Sequence, residues 1–149
     1  MDRHARILVV DDDVNIRKSM EAILSTEGYD VDSAGDGKEA IRKSELATYN
    51  VALIDIRLPD MDSVELLTRM KNTVPKTRKI IITGYPSVQN AVEAVNRKAD
   101  AYLIKPVEVE KLLVTIETQL ELQQMEKRYS EEKVVEFIEA RVKEIASST

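Results

Sequence analysis

The chain is 149 residues long, one third of them charged, with a net charge of −5. That length suits one domain with a proper core, and an acidic chain with no Trp, one Phe and no basic block lacks the charge and stacking surfaces of nucleic-acid binders. Cys is absent, which excludes disulfides, thiolate chemistry and zinc-thiolate sites.

Only four apolar residues, Ile7 to Val10, follow the polar start before Asp11-Asp12-Asp13. That is far short of a signal-peptide core, and no stretch is long enough to span a bilayer, so a cytoplasmic location without membrane insertion is expected. Ile7 to Val10 instead predicts a short buried strand with acids at its tip. From Val14 to about Glu27, apolar Ile16, Met20, Ile23 and Leu24 recur at helical spacing, and Gly28 ends the pattern. Tyr29, Val31, Ser33 and Ala34 alternate with acids as a more exposed strand would. Asp36-Gly37 then turns the chain into a helix from Lys38 to about Ala47.

Val51-Ala-Leu-Ile54 predicts a strand buried on both faces that delivers Asp55 at its C-terminal end. Asp55 either caps a turn there or is a placed reactive group. Pro59, Asp60 and Asp62 force a loop beyond it, which is where ligands sit in an open parallel sheet. Val64, Leu66, Leu67 and Met70 predict a third helix ending near Asn72, and Lys79 to Thr83 another buried strand, with Gly84 allowing close backbone approach. Pro86 and Ser87 open a helix striped by Val88, Ala91, Val92 and Val95. Ala101 to Ile104 is the last strand, ending in Lys105-Pro106. Five strands alternating with helices imply a parallel sheet covered on both faces.

All Gly and Pro fall at or before Pro106, so the tail after it should be helical. Val109, Leu112, Leu113, Ile116 and Leu120 are enough for a helix packed on the sheet. Val135, Ile138, Val142 and Ile145 have the spacing of a coiled-coil seam, which reads either as padding on a solvated helix or as a partner-binding or dimerising face. Between them Glu126 to Lys133 is polar, and Ser130 with Glu131 and Glu132 suits a new cap, leaving one long helix or two open.

In such a sheet the strand tips converge, bringing Asp11, Asp12, Asp13, Asp55, Thr83 and Lys105 to one crevice. Crowded carboxylates raise each other's pKa unless a cation holds them ionised. Lys105 supplies one charge, and a hard divalent ion such as Mg²⁺ suits an all-oxygen donor set. The site therefore suits phosphoryl chemistry, with Asp55 as nucleophile, Lys105 offsetting charge, and the Thr83 hydroxyl and Gly84 amide as donors.

Four motifs at four successive strand tips, namely Val10-Asp11-Asp12, Asp55-Ile-Arg-Leu-Pro59-Asp-Met-Asp62, Thr83-Gly84 and Tyr102-Leu-Ile-Lys105-Pro106, resemble the response-regulator receiver domain of two-component signalling. The resemblance covers residues 5 to 120. It implies a flavodoxin-like α/β fold, a doubly wound five-stranded parallel sheet of strand order 2-1-3-4-5; with the helical reading of the tail this gives an extended C-terminal helix, a receiver domain at 1-121 and a helical extension at 122-149.

It further implies that Asp55 accepts a phosphoryl group from a sensor histidine kinase or phosphotransfer protein. Asp12 would bind Mg²⁺ directly, Asp11 mostly through water, and Arg57 through its backbone carbonyl. Thr83 and Tyr102 would be switch residues, changing how the last strand and its flanking helices bind a downstream protein. Such a protein takes part in its own phosphorylation and dephosphorylation and is not a turnover enzyme. A homodimer through the tail or through that face is a further expectation. Arg57 and Tyr85 would flank the phosphate and set its lifetime.

Two residues depart from the family pattern: Ser63 and Lys98 stand where glycine is usual, and left-handed backbone at either would carry strain. Other readings fit less of the chain. Asp11-x-Asp13 matches part of a haloacid-dehalogenase signature, but Asn15 stands where Thr or Val is expected and no late acid pair follows. No Gly-rich phosphate loop follows a strand. His4 suggests no internal phosphohistidine. A receiver fragment of a longer regulator, and a binding module that has lost its switch, remain as alternatives. An acidic tail of this length favours protein–protein output over a DNA-binding effector.

Overall fold

The computed structural model describes residues 4–73, 75–84 and 99–147. Five strands, β1 (Arg6–Val10), β2 (Asp30–Ala34), β3 (Val51–Asp55), β4 (Arg78–Thr83) and β5 (Ala101–Ile104), form one sheet in the order β2-β1-β3-β4-β5. Every pairing is parallel, the flavodoxin-like arrangement expected. Helices α1 (Val14–Thr26), α2 (Gly37–Leu46), α3 (Ser63–Arg69) and α4 (Val109–Ser147) complete the described elements. The helix expected from Pro86, with Tyr85 and Lys98, lies outside the described residues.

Strand alternation divides the core between the two faces of the sheet. Ile7, Val9, Val51, Leu53, Ile80 and Ile82 face Leu24 of α1 and Leu112, Ile116 and Leu120 of α4. Leu8, Val10, Ala52, Ile54 and Ile81 face Ala40 of α2 and Leu66 and Leu67 of α3. Runs without polar residues are required here because both faces are covered.

The helix ends follow from local chemistry. Asp13 caps α1 by accepting from Asn15 N at 2.8 Å and Ile16 N at 3.2 Å, and Gly28, at φ 95, provides the left-handed residue after it. Helix α3 stops at Arg69, short of Asn72, because Met70 turns extended and buries its side chain. Lys79 Nζ donates to Leu67 O in the last turn of α3, at 2.9 Å.

Ser63 corrects an expectation. Asp62 is the N-cap of α3, accepting from Glu65 N at 2.7 Å, and Ser63 is the first helical residue, so the left-handed strain does not arise. Its hydroxyl is instead fully buried with no hydrogen-bond partner among the described residues.

The tail is one helix: α4 runs through Glu126 to Lys133 without a second cap, over about 58 Å at 1.5 Å per residue. Leu112, Ile116, Gln119, Leu120 and Gln123 are buried, whereas Val109 is exposed, as is every residue from Gln124 to Ser147. Polar side chains fasten the helix where it leaves the body. Arg78 Nε donates to Gln119 Oε1 at 2.9 Å, and its Nη1 meets Glu126 Oε1 at 2.7 Å. Gln123 Nε2 donates to Asn50 O at 3.0 Å and Lys76 O at 2.9 Å. Buried groups partnered in this way hold the helix on the sheet where no apolar contact remains.

Candidate functional site

Strand β1 makes its last ladder pairs at Val10, with Ala34 on one side and Ile54 on the other. Asp11, Asp12 and Asp13 therefore leave the sheet together at its C-terminal edge. Strand β3 runs one position further, pairing Asp55 with Ile82. Lys105 follows β5 and is held level with them because its backbone N–H donates to Thr83 O at 2.7 Å.

These placements bring four of the expected side chains together. Asp11, Asp12 and Asp55 offer carboxylate oxygens that lie within 4.8 Å of one another. Lys105 Nζ is 2.7 Å from Asp55 Oδ2 and 3.6 Å from Asp11 Oδ2. Asp55 Oδ1 accepts from Arg57 N at 2.9 Å, which fixes the carboxylate plane and leaves Oδ2 to the ammonium. Asp13 does not join them: its side chain caps α1.

The electrostatics reflect crowding. Burial, aided by Asp55 beside it, pushes the Asp11 carboxyl up from the ordinary carboxylate range to about 6, against the Asp13 amide and Lys105. Burial pulls the Lys105 ammonium down, but the hydrogen bond and charge of Asp55, with Asp11, outweigh it and leave the pKa raised. One lysine does not neutralise three acids. The donors are all oxygen, two of the three carboxylates are reachable from solvent and the charge deficit is positive, so the cluster fits a hard divalent cation such as Mg²⁺.

Above the acids opens a crevice of about 510 Å³ lined by Asp12, Asp55, Arg57, Gly84 and Lys105. Arg57 and Asp62 form a β-bridge that closes the loop after Asp55. Thr83 is fully buried beside Gly84. A Cβ on Gly84 would meet Lys105 only at 3.8 Å, an ordinary contact, so steric closeness to the described residues does not account for that glycine. Tyr102 does not line the crevice; it packs on the face that carries α2 and α3, with its hydroxyl buried and without a partner among the described residues.

Two contributors were not evident from the sequence. Asp60, in the loop after Asp55, accepts from Gly37 N at 2.8 Å and Lys38 N at 3.0 Å, tying that loop to the N-terminus of α2. Arg17, on α1, donates to the main-chain carbonyl of Asp11. Asp60 lies within the Asp55 to Asp62 loop motif, but its partners on α2 are far away in sequence, and the Arg one turn into the first helix is not a motif on its own.

Comparison with known proteins agrees with this geometry. The family model described as the response regulator receiver domain matches residues 7–117. The regulatory protein AtoC of Escherichia coli (strain K12) is 34% identical over 122 residues, covering 82% of this chain and 26% of that protein. The transcriptional regulatory protein ZraR of Klebsiella oxytoca is 40% identical over 110 residues, covering 74% of this chain and 25% of that protein. The chain thus spans about a quarter of the length of both of these relatives. A crystal structure of a CheY-like response regulator receiver domain protein from Methanospirillum hungatei JF-1 superposes with a TM-score of 0.78 at 44% identity, covering 83% of this chain and 98% of that one. A parallel sheet whose tips gather three carboxylates and a lysine, matched along most of its length by that family model, places the chain in the response-regulator receiver domain family.

Proposed function

We propose that the protein is a phosphorylation-dependent switch that takes a phosphoryl group on Asp55 from the phosphohistidine of a sensor kinase or phosphotransfer protein. The signal then passes on by protein–protein contact. The observation that carries this reading is the placement of Asp55 at the tip of β3, with one oxygen fixed by Arg57 N and the other on Lys105 Nζ at 2.7 Å, open to the crevice.

In the transfer, an Asp55 carboxylate oxygen forms the new O–P bond while the P–N bond to the donor imidazole breaks, its electron pair staying on that nitrogen. Lys105 offsets charge on the phosphoryl oxygens, and Gly84, at the crevice wall, offers its amide. Asp11, Asp12 and Asp55, with the Arg57 carbonyl, would hold Mg²⁺. When bound, Mg²⁺ supplies further offset of negative charge on the phosphoryl group. Arg57 lines the crevice and would shield the acyl phosphate from water, so Arg57→Ala should change the hydrolysis rate; an unchanged rate would remove that role.

Thr83 and Tyr102 are the proposed switch residues. The hydroxyl of half-buried Tyr102, buried without a partner among the described residues, favours a second arrangement in which it finds one. A switch of this kind needs the phosphate to discriminate between two states by only a few kcal/mol. We assign residues 1–121 to the receiver and 122–149 to a helical extension whose first turns remain fastened by Gln123 and Glu126. The output is a change in how β5 and α4 present themselves to a partner, and the protein is not a turnover enzyme.

The test is intact-mass spectrometry after incubation with acetyl phosphate and Mg²⁺. The expected result is a Mg²⁺-dependent gain of one phosphoryl group, absent in Asp55→Asn and retained in part by Asp11→Asn. An adduct that survives in Asp55→Asn would move the acceptor elsewhere.

A further inference from the structure

The Asp11–Asp12 peptide lies just beyond the ladder, since Val10 makes the last strand pairs of β1. Asp11 N still donates to Ala34 O at 3.1 Å, and Asp11 Oδ1 receives Asp13 N at 2.9 Å. What remains to fix the orientation of the peptide is the Asp11 carbonyl. Arg17 Nη1 donates to that oxygen at 2.6 Å from the first turns of α1. The guanidinium lies against Gly35 in the loop after β2, where an added Cβ would come to 3.1 Å from Nη1 and 3.5 Å from Cζ. A side chain at position 35 would thus push the guanidinium aside, so the small residue there and the arginine form one arrangement.

We infer that Arg17 is a positioning residue for the acid pair: through the Asp11 carbonyl it holds the peptide that aims the Asp12 carboxylate into the crevice. The inference rests on the reading of Asp11, Asp12 and Asp55 as a divalent-cation site and adds a residue that touches neither metal nor phosphate. Two effects of the guanidinium oppose each other. Its charge near the acids disfavours a second cation, while a charge-assisted hydrogen bond to a carbonyl removes loop freedom that the cation would otherwise have to remove on binding. A donor–acceptor distance of 2.6 Å puts the hydrogen bond in control. Loss of Arg17 should therefore weaken Mg²⁺ binding even though it removes a positive charge.

The experiment is calorimetric titration of the full chain with Mg²⁺ alone, for the wild type, Arg17→Met, Arg17→Lys and Gly35→Ala. Arg17→Met is expected to weaken Mg²⁺ binding roughly five- to tenfold, Arg17→Lys less, since the ammonium can still donate, and Gly35→Ala in the same direction with Arg17 still present. In the metal-free protein, amide hydrogen exchange at Asp12 should speed up in Arg17→Met while exchange in the β3 amides stays unchanged. Equal or tighter Mg²⁺ binding by Arg17→Met would overturn the inference, leaving the guanidinium only a repelling charge. Absence of Mg²⁺ binding by the wild type would instead remove the cation-site reading and this role together.

Discussion

Arg78 Nη1 and Glu126 Oε1 meet at 2.7 Å across the gap between the start of β4 and the turn of α4 that leaves the body. The guanidinium is nearly buried and also serves Gln119 and Asp100, whereas Glu126 is more than half exposed. Removing the two partners should therefore have unequal effects. Arg78→Met is expected to lower stability by about 2–4 kcal/mol, because it strands buried acceptors. Glu126→Ala should cost under about 1 kcal/mol, as for an exposed partner. Urea unfolding monitored by circular dichroism measures both, and equal losses would show that Arg78 is not the hub.

Lys105 stands against the accepting carboxylate. Lys105→Met keeps much of the stem but removes the ammonium, so phosphorylation of Asp55 by acetyl phosphate should slow by roughly 100-fold, the scale of a lost charge-stabilising donor. The rate of adduct formation in intact-mass spectra checks this.

The Asp11 carboxyl titrates near 6 in the folded chain against an ordinary 3.8. Between those values the native state binds the extra proton, so stability of the metal-free protein should fall as pH rises from about 4 to about 6, by roughly 1–2 kcal/mol from this group. Asp11→Asn should flatten that slope. Unfolding midpoints in EDTA across this range are the measurement, and a slope unchanged in Asp11→Asn would assign it to other groups.

Ser63 buries a hydroxyl that finds no partner among the described residues. Ser63→Ala keeps the shape, removes the desolvated oxygen and improves helix propensity, so it should raise stability by about 1 kcal/mol. Thermal or urea unfolding decides it, and a loss of stability would mean that the hydroxyl is satisfied.

Val135, Ile138, Val142 and Ile145 are each more than half exposed on α4. Light scattering should give a mass above that of the monomer for the full chain, reduced to the monomer for Ile138→Lys and for a chain ending at Lys127. A cut there spares Gln123 and Glu126 and so leaves the anchoring intact. Equal masses for all three would make the distal stripe a solvated face.

Strands and site tips were legible because four-residue apolar runs ended in chemically distinct groups, and both the burial and the tip position follow from that pattern. Gly28 could be read as a helix stop for the same local reason, whereas Asp13, expected with the crevice acids, caps α1 instead. The rest depended on contacts far apart in sequence. Arg78 precedes an apolar run and resembles an exposed strand end, until Gln119 and Glu126 arrive from α4. Ser130 with its following acids looks like a cap, yet nothing in Glu126 to Lys133 breaks a helix, and a continuing helix satisfies those amides without it. The expectation at Ser63 rests on family habit, whereas the Asp62 cap sets its backbone.

The unbroken course of α4 gives the distal stripe a fixed angular phase. On an ideal helix of 3.6 residues per turn, Ile116 and Leu120, which face the sheet, and Val135, Ile138, Val142 and Ile145, which lie beyond it, fall within an arc of about 100°. Whatever meets the distal residues therefore reads the rotational setting of the sheet. One residue inserted between Lys127 and Lys133 would turn the stripe by about 100° and disengage it, while seven would leave it within about 20° of its original bearing. Length along this helix is thus also direction, and output should vary periodically, not smoothly, with the number of residues between its two halves.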